Sequence, residues 1–435
     1  VKVAGTLRPP GDKSISHRAL IMAALARGTS ELRGLLTGAD VRSTAGALRR
    51  LGVAVARVRE DAVVRVTGRP LRPPAGTLHC GNSGTAARLL LGMLAGQRFA
   101  ARLTGDASLR RRPMRRATEP LRLMGARITE SPDGTLPVTI TGGNLHGIDY
   151  ASPVASAQVK SAILLAGLTG AVPVSVREPY RSRDHMERLF VHLGLDVQEA
   201  GGAIRFTPSG PRAQVPAVHL SIPGDPSSAA FLVAAAVLAE GGELLVSGVC
   251  VNPTRTGFVV VLERMGARVE RMNLHDAGGE PVADLLVRPP AAPLRGTAVP
   301  AAEIATLIDE VPMLAVLASR AEGETVFREV GELRVKESNR LELVAANLRA
   351  LGVAAEAQGN DLHVRGTDRP PRGRVETARD HRLAMAFAVL GTLPRADVRL
   401  SERASVAISY PAFFRDLRRI AASPPRRDGR ARHRD

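Results

Sequence analysis

Eight stretches of the chain gather cationic, hydroxyl and acidic side chains at the start of, or just before, apolar segments. The first is Pro10–Gly28, PGDKSISHRALIMAALARG, in which Lys13, Ser14, His17 and Arg18 open an aliphatic run. A helix start presents unpaired N–H groups and the positive end of the helix dipole, and phosphates and carboxylates bind there. Lys13, Ser14 and Arg18 turn such a start into an anion site. GNSGTAARLL (Gly81–Leu90) places Gly84 where no Cβ obstructs an anion approaching the backbone, with Arg88 one turn later. GDASLRRRPMRR (Gly105–Arg116) sets Arg112 before Pro113, in a loop from which a guanidinium can clamp a carboxylate. SAQVKSAILLAGL brings Ser156, Gln158 and Lys160 to a third helix start, and SRDHMERLF brings Arg183, Asp184 and His185. DEVPML, LRVKESNR and DHRLAMAF then interleave acids and bases, Asp309, Lys336, Glu337, Arg340 and Arg382 among them, a mixture suited to proton transfer.

The chain contains its own control. Pro10–Gly28 recurs without gaps as PGDPSSAAFLVAAAVLAEG from Pro223 to Gly241. In this second copy Pro226, Ala230 and Phe231 stand in place of Lys13, His17 and Arg18. The fold therefore needs the Pro-Gly-Asp turn, a capping Ser and an apolar helix, but not those charges. Lys13 and Arg18 are assigned to chemistry, and His17 stays open between a site role and a structural one. Lysine usage points the same way. Of 60 basic residues only Lys2, Lys13, Lys160 and Lys336 are lysine. A compact ammonium with a shiftable pKa is not replaceable by a guanidinium, which singles out Lys13, Lys160 and Lys336.

The elements that must position these groups repeat. Six Ala-rich apolar helices are expected to stop at Gly28, Gly96, Gly170, Gly241, Gly323 and Gly391, each glycine taking the left-handed cap. A second, amphipathic helix follows in each interval and ends in a Leu/Met-Gly signature at Gly52, Gly125, Gly194, Gly266 and Gly352. Short alternating strands separate them. Six such units in two related halves predict an α/β (α+β) protein of two domains, with the helix starts of both halves converging on the cleft between them.

Composition narrows the function. The formal charge is +18, of which the tail Ala421–Asp435 carries +3; that tail reads as disordered. The basic body suits acidic small molecules or nucleic acid. Aromatics at 3% and no Trp remove the stacking platforms a single-strand binder uses. Cys80 and Cys250 form no metal-ligand motif, and the longest apolar helical run, Ala229–Ala239, is too short to span a bilayer. The expectation is a soluble cytoplasmic protein with no structural metal, no nucleic-acid partner and no membrane partner.

Taken together, GDKSISHR, GNSGTAAR, GDASLRRRPM, SAQVKSA, SRDH, DEVPML, LRVKESNR and DHRLAM resemble the 5-enolpyruvylshikimate-3-phosphate (EPSP) synthase family of enolpyruvyl transferases. The resemblance implies two pseudo-symmetric domains, residues 13–222 and residues 1–12 plus 223–420, each of three βαβαββ repeats, with the chain crossing twice between them. It also implies transfer of the enolpyruvyl group of phosphoenolpyruvate to the 5-hydroxyl of shikimate 3-phosphate, a reaction that needs no metal or organic cofactor, and a monomer is expected. By motif, Lys13 would touch both substrates. Ser14 and Arg18 would hold the shikimate carboxylate, Ser156 and Arg183 its phosphate, and Gln158 would lie against the ring. Gly84, Arg112, Arg340 and Arg382 would hold phosphoenolpyruvate. Asp309 would accept the hydroxyl proton with Lys336 beside it, and Glu337 would donate to the enol carbon. Relatives with glycine at the Gly84 position are typically inhibited by glyphosate. Two departures stand out: Ile408 lies nearest the place of a lysine common near the C-terminus, and Glu332 replaces an asparagine. The sister family acting on UDP-N-acetylglucosamine is the nearest alternative. It usually carries a cysteine in the loop matching Gly105–Pro113 and an asparagine after the first lysine, and this chain has neither.

Overall fold

The apolar stretches fold as helices buried on all sides, and the amphipathic ones pack outside them. The computed structural model describes residues 1–210 and 215–421; the basic tail from residue 422 onward lies outside the described residues. The helices are α1 (Lys13–Leu25), α2 (Ala39–Arg50), α3 (Gly84–Ala95), α4 (Arg115–Leu123), α5 (Ala157–Gly170), α6 (His185–His192), α7 (Pro226–Val237), α8 (Gly257–Arg264), the short α9 (Ala301–Ile304), α10 (Val311–Ala318), α11 (Arg340–Ala350), α12 (His381–Leu390) and α13 (Phe413–Ala421). Two apolar cores form. One collects α1, α3 and α5, the other α7, α10 and α12. Side chains such as Leu20 and Leu232 are wholly buried, and each contributes about 1.5–3 kcal/mol relative to exposure. None of the described helices is long and apolar enough to cross a membrane.

Five four-stranded sheets share one pattern, a parallel outer pair followed by antiparallel strands. Leu78–His79, Ala100–Thr104, Val138–Thr141 and Arg127–Thr129 form one in that spatial order. In two sheets the outer strand comes from far along the chain. Gly5–Leu7 runs parallel to Leu244–Val246, and His219–Ser221 runs parallel to Glu31–Arg33. The segments leading from these strands into α1 and α7 are the two Pro-Gly-Asp copies, and they lie against each other. Asp12 N donates to Pro223 O and Asp225 N to Pro10 O, both at 2.8 Å. A Cβ on Gly11 would sit 1.9 Å from Gly34 O, and one on Gly224 would sit 2.7 Å from Pro9 Cγ. The retained turn is thus the place where the chain passes itself at backbone distance.

Three expectations are corrected. The cap of α1 is Asp12, whose Oδ1 accepts from Ile15 N, and that of α7 is Asp225; serine caps only α3 (Ser83) and α5 (Ser156). Of the six glycines expected to be left-handed, only Gly28 and Gly323 have positive φ. Ala171 takes that role after α5 and Gly242 holds a positive φ after α7, whereas Gly96 and Gly391 keep φ of −85° and −68°. The left-handed glycines instead follow the amphipathic helices, at Gly52, Gly125, Gly194, Gly266 and Gly352, because there the chain reverses at once into a strand. Finally, the sixth sheet holds only Arg372–Val375 and Asp397–Leu400, without an antiparallel pair among the described residues.

Candidate active site

The helix starts meet. A cavity of about 590 Å³ is lined by the first turns of α1 (Lys13, Ser14), α3 (Gly84, Thr85) and α5 (Ala157, Gln158), and from the other half by Ile308, Asp309 and Arg382. Twelve of the thirteen residues proposed from sequence line it: Lys13, Ser14, Arg18, Gly84, Arg112, Ser156, Gln158, Arg183, Asp309, Lys336, Glu337 and Arg382. Arg340 does not. It is fully buried behind the wall, where Nε and Nη2 donate to Asp380 at 2.8 and 3.1 Å and Nη2 meets Glu337 Oε2 at 2.6 Å. Nine arginines and lysines against six carboxylates form the lining, so the cavity favours an anion of several charges.

Each cation is aimed by a neighbour. Asp12 caps α1, which starts at Lys13; the Lys13 N–H donates to Asp225 Oδ2 at 3.0 Å and Nζ reaches Asp40 Oδ2 at 3.2 Å. Arg18 donates to Ser14 O at 3.0 Å and Ser161 Oγ at 2.8 Å. Arg88 donates to Gln158 Oε1 at 2.5 Å and Pro113 O at 2.7 Å, and Gln158 Nε2 donates to Thr85 Oγ1. Burial draws the Arg18 and Arg88 guanidinia down to about 10, still charged at neutral pH. Arg112 is fixed by Asn82 Oδ1 at 2.5 Å and Ser108 Oγ at 3.1 Å.

Two carboxylates stand among these cations. Asp309 faces Arg183 Nη2 at 2.6 Å, Arg340 Nη1 at 3.4 Å, Lys336 Nζ at 3.5 Å and Arg382 Nη2 at 3.7 Å. Burial alone would raise it, but Lys336, Arg382, Arg183 and Arg340 together hold it well below the usual aspartate value. Glu337 lies between Arg340 and Arg112, 3.8 Å from the latter. Its burial is likewise outweighed, by Arg340, Arg112, His381 and Lys13, so it too is ionised. Four contacts tie the halves together across the opening: Arg183–Asp309, Arg112–Glu337, Ser108 Oγ to Glu337 O at 3.2 Å, and Arg116 Nη1 to both oxygens of Glu332 at 2.8 and 3.0 Å.

Other residues read from the sequence sit elsewhere. His17 is buried, bonded to Thr44 Oγ1 at 2.7 Å and Ser83 Oγ at 3.4 Å, and kept neutral by burial and by Lys13 and Arg18; its role is structural. Lys160, which stands out as a lysine, is also structural. Its ammonium is buried between Glu178 and Glu187 at 2.8 and 2.7 Å, and Glu178 in turn accepts the backbone N–H of Ser156. Lys160→Met leaves two buried carboxylates without their cation and is expected to cost about 3–5 kcal/mol, measured by denaturant unfolding. Sequence reasoning missed Asp40, Arg116, Asp225 and Arg255 in the lining. Asp40, in the first turn of α2, had no local signal beyond an acid after Gly38.

Comparison with known proteins decides what the cavity belongs to. Residues 1–417 match the family described as EPSP synthase (3-phosphoshikimate 1-carboxyvinyltransferase). The 3-phosphoshikimate 1-carboxyvinyltransferase of Xanthomonas oryzae pv. oryzae is 48% identical over 414 residues, covering 94% of this chain and 92% of the relative. The chain belongs to the EPSP synthase family. The Acidithiobacillus ferrooxidans 3-phosphoshikimate 1-carboxyvinyltransferase is 47% identical over 415 residues, covering 95% of this chain and 94% of the relative. An EPSP synthase structure from Acinetobacter baumannii superposes with a TM-score of 0.84 at 40% identity, covering 97% and 96% of the two chains. The enolpyruvyl transferase NikO from Streptomyces tendae shares the fold at 21% identity, with a TM-score of 0.78 and coverage of 97% and 96%. The family match extends over the whole length that carries the eight motifs.

Proposed function

We infer that the two anions gathered here are phosphoenolpyruvate and shikimate 3-phosphate. The chain transfers the carboxyvinyl group of the first to the 5-hydroxyl of the second and releases inorganic phosphate, the activity of the EPSP synthase family. The observation that carries this reading is a cavity in which cations outnumber acids while two ionised carboxylates, Asp309 and Glu337, stand among them. Ser14 and Arg18 suit the shikimate carboxylate, Ser156 and Arg183 its phosphate, with Gln158 against the ring. The Gly84 backbone, Arg112 and Arg382 suit phosphoenolpyruvate, and Lys13 stands between the two. Arg340 acts from behind, on Glu337 and Asp309.

The chemistry follows from the ion pairs. The 5-hydroxyl oxygen bonds to the central carbon of phosphoenolpyruvate and gives its proton to Asp309, while Glu337 protonates the terminal methylene. The tetrahedral adduct then expels phosphate, which carries off the proton held by Asp309, and a proton of the methyl carbon returns to Glu337, restoring the double bond and both carboxyl groups. Arg183 Nη2 lies 2.6 Å from Asp309 Oδ2. A substrate phosphate on Arg183 takes that cation away and lifts Asp309 toward a useful base. Phosphoenolpyruvate on Arg112 acts alike on Glu337, allowing it to hold the proton it delivers. Each carboxylate is thus switched on by the substrate it serves.

We read the chain as two lobes, residues 13–222 and residues 1–12 with 223–420, each of three βαβαββ units, hinged where the Pro-Gly-Asp turns cross. The two apolar cores and the two exchanged strands support this, and the sixth unit is the truncated one. Two buried free cysteines support a reducing cytoplasm as the working compartment. Phosphate release tests the function: it should require both substrates. Release from phosphoenolpyruvate alone, or with UDP-N-acetylglucosamine replacing shikimate 3-phosphate, would contradict it. Gly84 supplies a second test. A Cβ there would lie 2.8 Å from Arg88 Nη1 and 3.7 Å from Arg112 Nη1. Gly84→Ala should displace the Arg88 guanidinium and bring a methyl into contact with Arg112, raise the KM for phosphoenolpyruvate by about tenfold, the scale of one lost charge-assisted hydrogen bond, and weaken inhibition by glyphosate. Unchanged values of both would reject that placement.

A further inference from the structure

Arg382 is drawn by two adjacent carboxylates, and which one holds it decides what the cleft can do. Asp309 already has Arg183, Arg340 and Lys336 around it, and Arg382 Nη2 is only 3.7 Å from its Oδ2. Yet Arg382 makes its hydrogen bonds through Nη1, to Asp309 O at 3.0 Å and to Glu310 Oε1 at 3.3 Å. Glu310 is 1% exposed and does not line the cavity. The same oxygen, Oε1, also accepts from Ser227 Oγ in the first turn of α7. Ser227 Oγ in turn accepts from Arg255 Nη2 at 3.1 Å, and Arg255 Nη1 binds Asp12, the cap of the Lys13 helix, at 2.6 Å. Glu310 Oε2 has no partner among the described residues. A carboxylate buried with one oxygen unpaired is costly, and stability alone gives no reason for that cost.

We propose that Glu310, held by Ser227 and Arg255, is a positioning residue that keeps the Arg382 guanidinium off the Asp309 carboxylate and turned toward phosphoenolpyruvate. This rests on the assignment of Arg382 to that substrate. Without Glu310, the nearest remaining anion for Arg382 is Asp309. The collapse would remove a cation from the phosphoenolpyruvate pocket and bury the proton acceptor under a further charge. The chain of contacts from Asp12 through Arg255, Ser227 and Glu310 to Arg382 also ties the start of the Lys13 helix to the opposite wall. Lys13 and Arg382 are therefore set relative to one another by a buried network that runs through Arg255, Ser227 and Glu310.

The test compares steady-state constants and shikimate 3-phosphate binding for Glu310→Ala, Glu310→Gln, Ser227→Ala and Arg382→Gln in the full chain, with thermal melts for each. Glu310→Ala should raise the KM for phosphoenolpyruvate by about tenfold, with the Kd for shikimate 3-phosphate alone within twofold of wild type. Glu310→Gln keeps an acceptor oxygen and should recover part of the loss, and Ser227→Ala should show a smaller shift of the same kind. A purely structural role would lower the melting temperature and the active fraction without this selective shift, and that pattern overturns the proposal. If Glu310→Ala fails to fold, Ser227→Ala decides: an unchanged KM for phosphoenolpyruvate overturns it. Arg382→Gln separates the levels. An effect there with none at Glu310 or Ser227 sinks the positioning role, whereas no effect at Arg382 sinks the substrate assignment beneath it.

Discussion

Lys13→Ala is expected to lower kcat by at least about 10²–10³-fold, the scale seen when one preorganised charge donor is removed from a transition state. The protein should remain folded. The equivalent position in the second half is Pro226, at the start of an equally buried helix, so this turn is built without a side-chain cation. Lys13 Nζ has one acidic partner, Asp40, whose burial already pushes its carboxyl up. Once the ammonium is gone, Asp40 can take up a proton instead of standing as a buried charge. A melting temperature lowered by only a few degrees is the corresponding expectation, since about 1 kcal/mol moves a large domain by a few degrees. The checks are kcat at saturating substrates and a thermal melt. Wild-type turnover would remove Lys13 from the reacting centre.

Glu337→Gln should cost about 10²–10⁴ in kcat, the usual range for a positioned acid–base group, while shikimate 3-phosphate still binds. Arg340 keeps both oxygens of Asp380 in this variant, so the wall behind the site survives. Stability carries a signature of its own. Glu337 titrates lower in the folded chain than its ordinary value of 4.5, because Arg340, Arg112, His381 and Lys13 outweigh the effect of burial. A depressed carboxylate stabilises the fold above its unfolded pKa, and that contribution disappears as the pH falls through the folded value. The gap in unfolding free energy between wild type and Glu337→Gln should therefore be constant near neutrality and close below about pH 4.5. A gap independent of pH would mean that Glu337 is not held ionised by these cations.

What could be read from the residues alone was the set of cations at helix starts, because a helix start and a charge are both local features. The comparison of Pro10–Gly28 with Pro223–Gly241 separated what the turn requires from what the site requires. It also marked the place where the chain crosses itself. Local patterns failed where a distant partner decides. Arg340 reads as another first-turn cation, yet Asp380, forty positions later, draws it out of the cavity. Rarity singled out Lys160 as surely as Lys13 and Lys336, but the two glutamates that bury it come from later segments. The caps went to Asp12 and Asp225 because each aspartate, directly after the Pro-Gly turn, reaches forward to a first-turn N–H. Asp40 and Arg255 fall outside the quoted stretches, and Ser227 and Glu310 lie inside two of them with no local feature to single them out. Their importance lies in pairings with residues far along the chain, Asp40 with Lys13, Arg255 with Asp12 and Glu310 with Ser227 and Arg382, that only the fold reveals.

The central claim is that substrates draw Arg183 off Asp309 and Arg112 off Glu337, and so switch on both carboxylates. A crystal structure with shikimate 3-phosphate and an unreactive analogue of phosphoenolpyruvate tests it most directly. The account predicts Arg183 on the sugar phosphate and no longer on Asp309, Arg112 and Arg382 on the analogue, and Lys13 within hydrogen-bond reach of both ligands. Ligands seated outside this cavity, or seated within it while Arg183 remains paired to Asp309, would contradict it.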